Sequence, residues 1–594
     1  MTAKKAHKLT KSLGVALLLG LVACGGPRAG DDDTAAHAGG YAGATASGGH
    51  AGSSPDGTGG SAPGAGGTSG SSNATAGGST ATGGAVATGG STAMAGSTAL
   101  GGSTATAGSS ARGGSSNAGG SAGTLTRGAG GMSGGSSAHG GSANGGAAAD
   151  GGAGAAGSNA MGGGAGMANL PTGVSGLFPG PDATNVCKDP QLRVTFAKPP
   201  TLGTSGTIQV LTSSGTVAAS VNMATMSVSD TIGGQSMTVE RRAYVDGNTA
   251  VIYLPSKGLS YGQTYTVSVP AGAIVPNGGG SFSVSGNTWR FSTASAAPAS
   301  LASVTVALDG SGAFCSLQGA FDALPSGGSA ATTLTLKSGN YHEVVYFKNK
   351  NNVTVHGESR TGSVILGTNN NNMNPSTKGR ALVGGDGNQG LVFENLTIQN
   401  LTPQGGSQAE ALRLESCTHC TIRDATIQSL QDTLLWSGTL YAKNCLIEGN
   451  VDFIWGTGAA YFDQCEIKTV GRSGYVVQSR NAASGYGYVF VDSKITADAG
   501  ITGSVLARID VSSYPGSHVA YVNCAIGTHI TRAGWLVTGG SPSSSLRFWE
   551  YQSTDLDGNP LDVSGRLTGS TQISDSQAAT MRDPSAVLGG WQPN

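Results

Sequence analysis

Two aspartates, Asp432 and Asp452, have the type and spacing that could carry out chemistry in this 594-residue chain. Asp432 lies 12 residues before Asn444, and Asp452 lies 12 residues before Gln464, so both occupy one position of an internal repeat. Equivalent positions on adjacent coils of stacked strands lie about 4.8 Å apart. Two carboxyl groups that close cannot both ionise easily, so one should keep a proton while the other stays an anion. Such a pair could supply a nucleophile and a general acid, whereas an isolated aspartate here would only cap a turn.

A short sequence pattern predicts the elements that position these aspartates. The pattern, called the frame below, is an Asn, Asp or Gln with an Ile three residues later. Successive frames start 20 to 31 residues apart, which suits one coil of a parallel β-solenoid with loops of variable length. The frames are Asn395 to Ile398, Asp424 to Ile427, Asn444 to Ile447, Gln464 to Ile467, Asp492 to Ile495 and Asn523 to Ile526. A sandwich of hairpins is the alternative, but two-residue turn signals are few. We therefore predict an all-β protein in which residues 303–594 form a right-handed parallel β-helix.

Two cysteines directly follow the polar residue of consecutive frames. Stacking should bring the Cα atoms of Cys445 and Cys465 within disulfide range, and we predict a bridge between them in an exported protein. Cys417 and Cys420 have no second pair of ligands at a spacing suited to zinc, so they predict a local disulfide or two free thiols, and no metal site. The pattern leaves the pairing of three others open: Cys187, Cys315 and Cys524.

The sequence of the first 168 residues indicates that the protein is exported and tethered. Residues 1–24 combine a basic start, an apolar run and the sequence Leu21-Val22-Ala23-Cys24, which resembles the lipobox of bacterial lipoproteins, so Cys24 is the expected lipidation site. The alternative is an ordinary cleaved signal. Residues 25–168 are nearly all Gly, Ser, Ala and Thr, a composition typical of a flexible, disordered linker. We expect a secreted lipoprotein on a bacterial cell surface or outer membrane, which could also be shed, with membrane contact only through the lipid.

Residues 169–296 contain short alternating or apolar runs separated by Gly, Pro and Asn, which indicate a β-sandwich. The sequence from Leu259 to Val267 resembles the late strands of bacterial immunoglobulin-like spacer domains. A net charge of -1 for the whole chain gives no sign of nucleic-acid binding. We therefore predict a spacer or weak binding module in front of the β-helix.

The β-helical segment contains five motifs in sequence order. They are Gly339-Asn340-Tyr341-His342-Glu343, Gln408-Ala409-Glu410-Ala411-Leu412, Gln431-Asp432-Thr433-Leu434, Asp452-Phe453-Ile454-Trp455-Gly456 and Phe548-Trp549-Glu550-Tyr551. Together they resemble the pectin methylesterases (pectinesterases), a family of β-helical carbohydrate esterases. The resemblance implies that Asp452 attacks the methyl ester, that Asp432 is the acid and base, and that Gln431 and Gln408 donate to the oxyanion. It implies no cofactor and no metal.

The family's arginine motif, Leu-Gly-Arg-Pro-Trp, stands here as Leu506-Ala507-Arg508-Ile509-Asp510. The resemblance implies that Arg508 holds the nucleophilic carboxylate through a fork of hydrogen bonds. Asp510 replaces a tryptophan that the family uses as a sugar platform, and an acidic residue disfavours a polyanionic substrate. Trp455 should shield the aspartates at the substrate site.

Arg480 lies 12 residues before Asp492, which predicts a position on the next coil in line with Asp432 and Asp452. There it could contact a substrate carboxylate or bias the two aspartates electrostatically. The alternative for Arg480 is a structural salt bridge.

Three functions remain open from the sequence. The first is a tethered, monomeric pectin methylesterase acting on methyl-esterified polygalacturonate. The second keeps the two aspartates but acts on another ester or a thioester, because Asp510 replaces the aromatic platform. The third is a non-catalytic polysaccharide-binding surface protein, against which the intact set of Asp432, Asp452, Gln431 and Arg508 argues.

Overall fold

The computed structural model describes residues 170–593. The predicted signal peptide with Cys24 and the predicted linker lie outside these residues. Between residues 170 and 593, no helix is long and apolar enough to cross a membrane.

The N-terminal part of the described chain is a β-sandwich. Its strands are β1 (Val174–Phe178), β2 (Ala183–Val186), β3 (Gln191–Phe196), β4 (Thr201–Leu202), β5 (Thr207–Thr212), β6 (Val217–Asn222), β7 (Ser227–Ile232), β8 (Gln235–Glu240), β9 (Ala243–Asp246), β10 (Thr249–Tyr253), β11 (Thr264–Ser268), β12 (Ile274–Val275) and β13 (Arg290–Thr293). One sheet has the order β1-β3-β10-β9 and the other β2-β13-β11-β5-β6. Alternate residues of β3, Leu192 and Val194, are fully buried between them beside Trp289. Strands β7 and β8 form a separate antiparallel hairpin.

The rest of the described chain is a parallel β-helix with three short helices. Its elements are β14 (Ser303–Val306), α1 (Leu317–Ala323), β15 (Thr332–Leu336), β16 (Gly339–His342), β17 (Val345–Lys348), β18 (Val353–Gly357), β19 (Ser363–Gly367), β20 (Val383–Asp386), β21 (Val392–Glu394), β22 (Thr397–Asn400), β23 (Leu412–Arg423), β24 (Thr426–Gln428), β25 (Leu434–Lys443), β26 (Leu446–Gly449), β27 (Val451–Asp463), β28 (Glu466–Thr469), β29 (Tyr475–Ser479), β30 (Tyr488–Val491), β31 (Lys494–Ala497), β32 (Val505–Asp510), β33 (His518–Val522), β34 (Ala525–Ile526), β35 (Trp535–Thr538), β36 (Arg547–Tyr551), β37 (Thr571–Gln572), α2 (Asp575–Met581) and α3 (Pro584–Val587).

Successive coils pair in parallel, which confirms the predicted β-helix. One 8-stranded sheet has the order β16-β19-β22-β24-β26-β28-β31-β34, and a 16-stranded sheet forms the remaining walls. In the smaller sheet the isoleucines of the sequence frame stack on one another, for example Ile427 on Ile447 and Ile447 on Ile467, and all three are fully buried. The frame therefore marks the inward-facing residue of each coil.

The polar residue of each frame forms the corner between the two sheets. These residues adopt a left-handed backbone with φ from 49° to 53°, a conformation that Asn and Asp tolerate better than most residues. They are Asn395, Asp424, Asn444, Gln464, Asp492 and Asn523. A polar residue at this place is thus a requirement of the turn and carries no catalytic information.

The predicted Cys445–Cys465 disulfide is wrong, because both residues are buried free thiols. They do stack on neighbouring coils, since the adjacent residues Leu446 and Glu466 are paired. Strands about 4.8 Å apart hold parallel Cβ atoms farther apart than the 3.5–4.5 Å of a disulfide. Each sulfur instead lies 3.3–3.5 Å from backbone carbonyl oxygens. Cys417 and Cys420 form a local disulfide, one of the two predicted alternatives.

A disulfide between Cys187 and Cys315 links the sandwich to the β-helix. Next to it, Asp189 accepts hydrogen bonds from the backbone N–H groups of Cys315 (3.1 Å) and Ser316 (2.9 Å), just before α1. Glu343 accepts from two N–H groups of the first turn of α1, at 2.8 and 3.0 Å. The glutamate of the Gly-x-Tyr-x-Glu motif is therefore a helix cap, and burial raises its pKa to about 7.

Candidate active site

Three carboxylates occupy one position on three successive coils. The coils are in register through the paired residues Leu412, Leu434 and Ile454 of β23, β25 and β27. The residues two positions earlier are the carboxylate row, Glu410, Asp432 and Asp452, with exposed fractions of 0%, 7% and 5%. The structure thus places the two predicted aspartates at equivalent positions and adds a third carboxylate beside Asp432.

Both aspartates lie at a second corner of the β-helix, immediately before or at the start of a strand. Asp432 has φ 67° and Asp452 has φ 47°, so both are left-handed, and the N–H of Asp432 donates to Val451 O at 3.0 Å. Four residues after Asp452, Gly456 has φ 126°, and a Cβ there would lie 2.0 Å from Trp436 O. A larger residue would therefore push β27 away from β25 next to the aspartates.

Arg508 binds Asp452 with a fork of hydrogen bonds. Its Nε lies 2.7 Å from Oδ1 and 3.0 Å from Oδ2, and its Nη2 also donates to Oδ2. Arg508 is on β32, and β29 lies between β32 and β27. The guanidinium group crosses this gap over the ring of Tyr475, with its carbon 4.3 Å from the ring centroid. A fork of this kind favours the ionised form of Asp452.

Arg380 binds Asp432 from the other end of the carboxylate row. Its Nη2 lies 3.0 Å from Asp432 Oδ2 and 2.9 Å from Glu410 Oε1, while its Nε lies 3.0 Å from both oxygens of Glu410. Arg380 and Glu410 are both buried, so neither charge is solvated by bulk water. The contact to one oxygen of Asp432 leaves Oδ1 as the atom that can hold a proton.

The two aspartates differ in acidity for physical reasons that the contacts explain. Burial raises the pKa of Asp432 well above its ordinary value, Glu410 and Asp452 raise it further, and Arg380 lowers it. Burial also raises the pKa of Asp452, but the fork from Arg508 opposes this effect. Asp432 therefore holds a proton more strongly than Asp452, and the fork from Arg508 favours the ionised form of Asp452.

Arg480 is out of the predicted register with the aspartates, and the prediction of a shared position is wrong. Ser479 of β29 pairs with Gly456 of β27, which is already four residues past Asp452. Arg480 immediately follows β29 and therefore lies still farther from the position of Asp452. The reason is that this coil is split into β29 and β30 by a loop, whereas β25 and β27 run without a break. Arg480 nevertheless lowers the pKa of both aspartates, and its guanidinium lies 4.5 Å from the Trp455 ring centroid.

Trp455, only 6% exposed, lies between two guanidinium groups. The guanidinium carbon of Arg380 is 5.6 Å from its ring centroid and that of Arg480 is 4.5 Å away. Little of the ring surface therefore remains for stacking on a sugar. Its role in binding substrate stays a prediction.

The predicted oxyanion donors are neighbours through the backbone. The N–H of Ala409, the residue after Gln408, donates to Gln431 O at 3.1 Å. Both glutamine side chains are partly exposed, and Gln408 Oε1 lies 3.0 Å from Ser407 Oγ. This contact occupies the acceptor end of the Gln408 amide, so its nitrogen is the group that can donate to substrate.

Asp510, at the end of β32, is turned toward its own loop. Its Oδ1 lies 2.9 Å from the N–H of Ser512 and 2.5 Å from the Ser512 hydroxyl oxygen, and these bonds lower the pKa of Asp510. Two tyrosines provide partly exposed aromatic rings nearby. Tyr514 follows in the same loop, 6.0 Å from the guanidinium of Arg480, and Tyr475 lies under Arg508.

Sequence reasoning missed Glu410 and Arg380 as residues of the site. Glu410 is part of one of the five motifs, but its place in the carboxylate row was not recognised. The pairing of β23 is irregular beyond Leu414, so the spacing from Glu410 to the next frame differs from that of the two aspartates. Arg380 precedes β20 in a loop that no repeat describes, so no pattern singles it out.

A buried carboxylate held by an arginine fork, beside a carboxyl group whose pKa is raised, suits a nucleophile and a general acid. Residues 303–584 match the family description "Pectinesterase", and residues 168–293 match "Bacterial Ig-like domain". The family match gives the class of the protein, a carboxylic ester hydrolase built on a β-helix. Pectinesterase 31 of Arabidopsis thaliana is 31% identical over 288 residues, covering 46% of this chain and 89% of that protein. A pectinesterase of Daucus carota is 29% identical over 305 residues, covering 48% and 93%.

The solved structure of pectin methylesterase from carrot aligns with 27% identity and a TM-score of 0.44, covering 48% of this chain and 93% of that one. The chain belongs to the pectinesterase family.

Proposed function

We propose that this chain hydrolyses the methyl esters of polygalacturonate to pectate and methanol, with Asp452 as nucleophile and Asp432 as acid and base. The observation that carries the proposal is the carboxylate row, in which an arginine fork holds Asp452 and burial raises the pKa of Asp432. Membership of the pectinesterase family supports the reaction and the substrate class.

In the first step a carboxylate oxygen of Asp452 attacks the ester carbonyl carbon, and the electron pair of the C=O bond moves onto oxygen. The amide N–H groups of Gln408 and Gln431 donate to this oxyanion, a stabilisation that fixed donors provide without reorganisation. When the tetrahedral intermediate collapses, the bond to the methoxy oxygen breaks and Asp432 gives that oxygen its proton. Methanol leaves, and the galacturonyl group stays on Asp452 as an anhydride.

In the second step Asp432, now an anion, removes a proton from a water molecule whose oxygen attacks the anhydride carbonyl carbon. Asp452 departs as a carboxylate, and the fork from Arg508 stabilises the returning charge. The product is a free galacturonic acid unit, and Asp432 is again protonated. One group therefore acts as acid and then as base, as the cycle requires.

The test is methanol release from highly methylated pectin by the purified chain. Asp452→Asn removes the nucleophile with almost no change in volume, and Asp432→Asn removes the transferable proton. We expect release by the parent chain and loss of at least about 100-fold in either variant. Full activity in Asp452→Asn would contradict the proposed nucleophile.

Asp510 favours a second candidate function, hydrolysis of a different ester or thioester by the same dyad. Its lowered pKa keeps a negative charge at the end of β32, which disfavours a polyanionic chain there. A panel of methyl, acetyl and thioester substrates distinguishes the two functions. Turnover of an acetyl ester or thioester, but not of methylated pectin, would support the second.

We also propose that lipid on Cys24 anchors the protein at a bacterial surface and that residues 25–168 act as a flexible tether. The sequence of residues 1–24 supports this location. In the native host, Cys24→Ser should move the protein from the membrane fraction to the soluble fraction. A protein that fractionates identically with and without Cys24 would contradict the anchor.

A further inference from the structure

The hairpin β7–β8 of the sandwich packs against the β-helix on the side that carries Arg380. Three of its apolar side chains, Ile232, Met237 and Val239, are buried together with Tyr346 of β17. At the tip of the hairpin, a Cβ on Gly233 would lie 1.9 Å from Tyr346 O, so the two backbones are in close contact. The hairpin is therefore a fixed part of the β-helix surface.

A chain of hydrogen bonds runs from this hairpin to the backbone on both sides of Arg380. Asn374 binds Thr238 of β8 twice, since its Oδ1 accepts from Thr238 N and its Nδ2 donates to Thr238 O, both at 2.7 Å. The same Nδ2 donates to Asn369 Oδ1 at 2.7 Å. Asn369 Nδ2 then donates to Gly379 O at 2.9 Å and to Ala381 O at 2.7 Å.

Both asparagines are buried, with exposed fractions of 0% for Asn369 and 7% for Asn374. Buried amides with satisfied donors and acceptors hold one arrangement, because breaking any bond leaves a costly unpaired polar group. The loop that presents Arg380 to Asp432 is thus fixed at Asn374 by Thr238 of the hairpin, and at Gly379 and Ala381 by Asn369.

We propose that Arg380 is a positioning residue for the acid and base Asp432, and that the immunoglobulin-like domain holds Arg380 in place through the β7–β8 hairpin, Asn374 and Asn369. This inference rests on the proposed function, which assigns the proton transfer to Asp432. It makes the N-terminal domain a working part of the catalytic unit and not only a spacer.

Charge explains why the positioning arginine is accompanied by Glu410. An arginine alone beside Asp432 would favour the ionised carboxylate and remove the proton that the first step needs. Glu410 binds the same guanidinium group and balances its charge, so Arg380 can fix Asp432 Oδ2 and leave Oδ1 available to hold a proton. Five charged groups act on Asp432, from the coils on either side: Arg380, Glu410, Asp452, Arg480 and Arg508.

Removing the charge of Arg380 and removing the charge of Glu410 should move the basic limb of the pH profile of kcat/KM in opposite directions. Arg380 lowers the pKa of Asp432, so its loss should shift the limb to higher pH, and Glu410 raises that pKa, so Glu410→Gln should shift it to lower pH. Arg380→Lys keeps the charge without the fork and should lower kcat about 10-fold with little change in KM. Arg380→Met with Glu410→Gln removes both charges together, which avoids a single unpaired buried charge.

The hairpin contribution is tested by a double-mutant cycle on the purified full chain. Asn374→Ala should lower kcat several-fold at unchanged KM in the parent protein, but should have no further effect in the chain that already carries Arg380→Met and Glu410→Gln. Asn248→Ala is the control, because Asn248 is an exposed asparagine of the sandwich whose side-chain amide donates only to Ala197 O. It should leave kcat unchanged.

Additive losses in the cycle would overturn the role of the hairpin, and pH limbs that stay in place would overturn the role of Arg380. If the parent chain released no methanol from pectin, the proposed function would fail separately. The carboxyl titration of Asp432, followed by carbon-13 NMR in the parent, Glu410→Gln and Arg380→Lys, still tests the positioning. An Asp432 titration identical in all three proteins would overturn it.

Discussion

The fork between Arg508 and Asp452 yields the sharpest prediction about the nucleophile. Arg508→Met removes the charge and both hydrogen-bonding edges but keeps an apolar stem over Tyr475. The Asp452 side chain is 7% exposed and the Arg508 side chain 31% exposed, so the pair is buried on one side and partly solvated on the other. Breaking a fully buried pair costs about 3–5 kcal/mol, and solvent on the arginine side reduces this to about 2–3 kcal/mol.

At about 1.4 kcal/mol for each factor of ten, this loss lowers kcat/KM by about 30- to 150-fold. Loss of the ion pair should also change the pKa of the nucleophile, Asp452. Arg508 lowers the pKa of Asp452 against the effect of burial, so its removal lets that pKa rise. The acid limb of kcat/KM should therefore move to higher pH, because Asp452 must be ionised to attack.

The assay is methanol released from methylated pectin between about pH 4 and 8, quantified by gas chromatography. Arg508→Lys restores a point charge without the fork, and we expect its acid limb to lie between those of the parent and Arg508→Met. Arg532→Met is the matched control, since Arg532 pairs with Asp562 at 3.2 Å on an exposed surface. An acid limb that does not move in Arg508→Met would refute the assignment of this arginine to the nucleophile.

Three further predictions concern other parts of the molecule. In a Cys24→Ser chain, thiol titration after unfolding without reductant should find three free cysteines, because Cys445, Cys465 and Cys524 are unpaired; one free thiol would mean that a further bridge forms. The free energy of unfolding should fall by up to about 3 kcal/mol as the pH rises from about 4.5 through 7, because the folded state raises the pKa of Glu343 to about 7, and Glu343→Gln should flatten this slope in urea unfolding. Tyr514→Ala should raise KM for pectin about three- to tenfold at unchanged kcat if this ring supplies the aromatic contact near Asp510; equal KM values would exclude it.

The repeat predicted much of the fold because the β-helix imposes the same local demands on every coil. Each coil needs a buried isoleucine, such as Ile447, and a left-handed corner residue, such as Asn444. Both needs restrict the residue type, so they can be recognised in the sequence. The spacing also placed Asp432 and Asp452 correctly, since β25 and β27 are continuous strands of matched register. Where a coil is broken by a loop, as before β30, the same arithmetic misplaced Arg480.

The disulfide prediction failed for a different reason. The frame located Cys445 and Cys465 on neighbouring coils, but stacking fixes only which residues are adjacent, and strand spacing decides whether a bond can form. The bridge that does join distant parts of the described chain, Cys187 to Cys315, connects two domains that share no repeat. No pattern in either domain could reveal that pairing.

The charge of the site explains why residues outside the repeat had to complete it. The carboxylate row carries three negative charges when fully ionised, and Arg380 and Arg508 provide two positive charges in direct contact. One proton on the row makes this contact set neutral, and the central position of Asp432 between two other carboxylates makes it the place where that proton is held most strongly. The repeat can stack the carboxyl groups, but it cannot supply the guanidinium groups, because an arginine in the row would interrupt it. Both arginines therefore reach the row from a loop or from a strand two positions along the sheet.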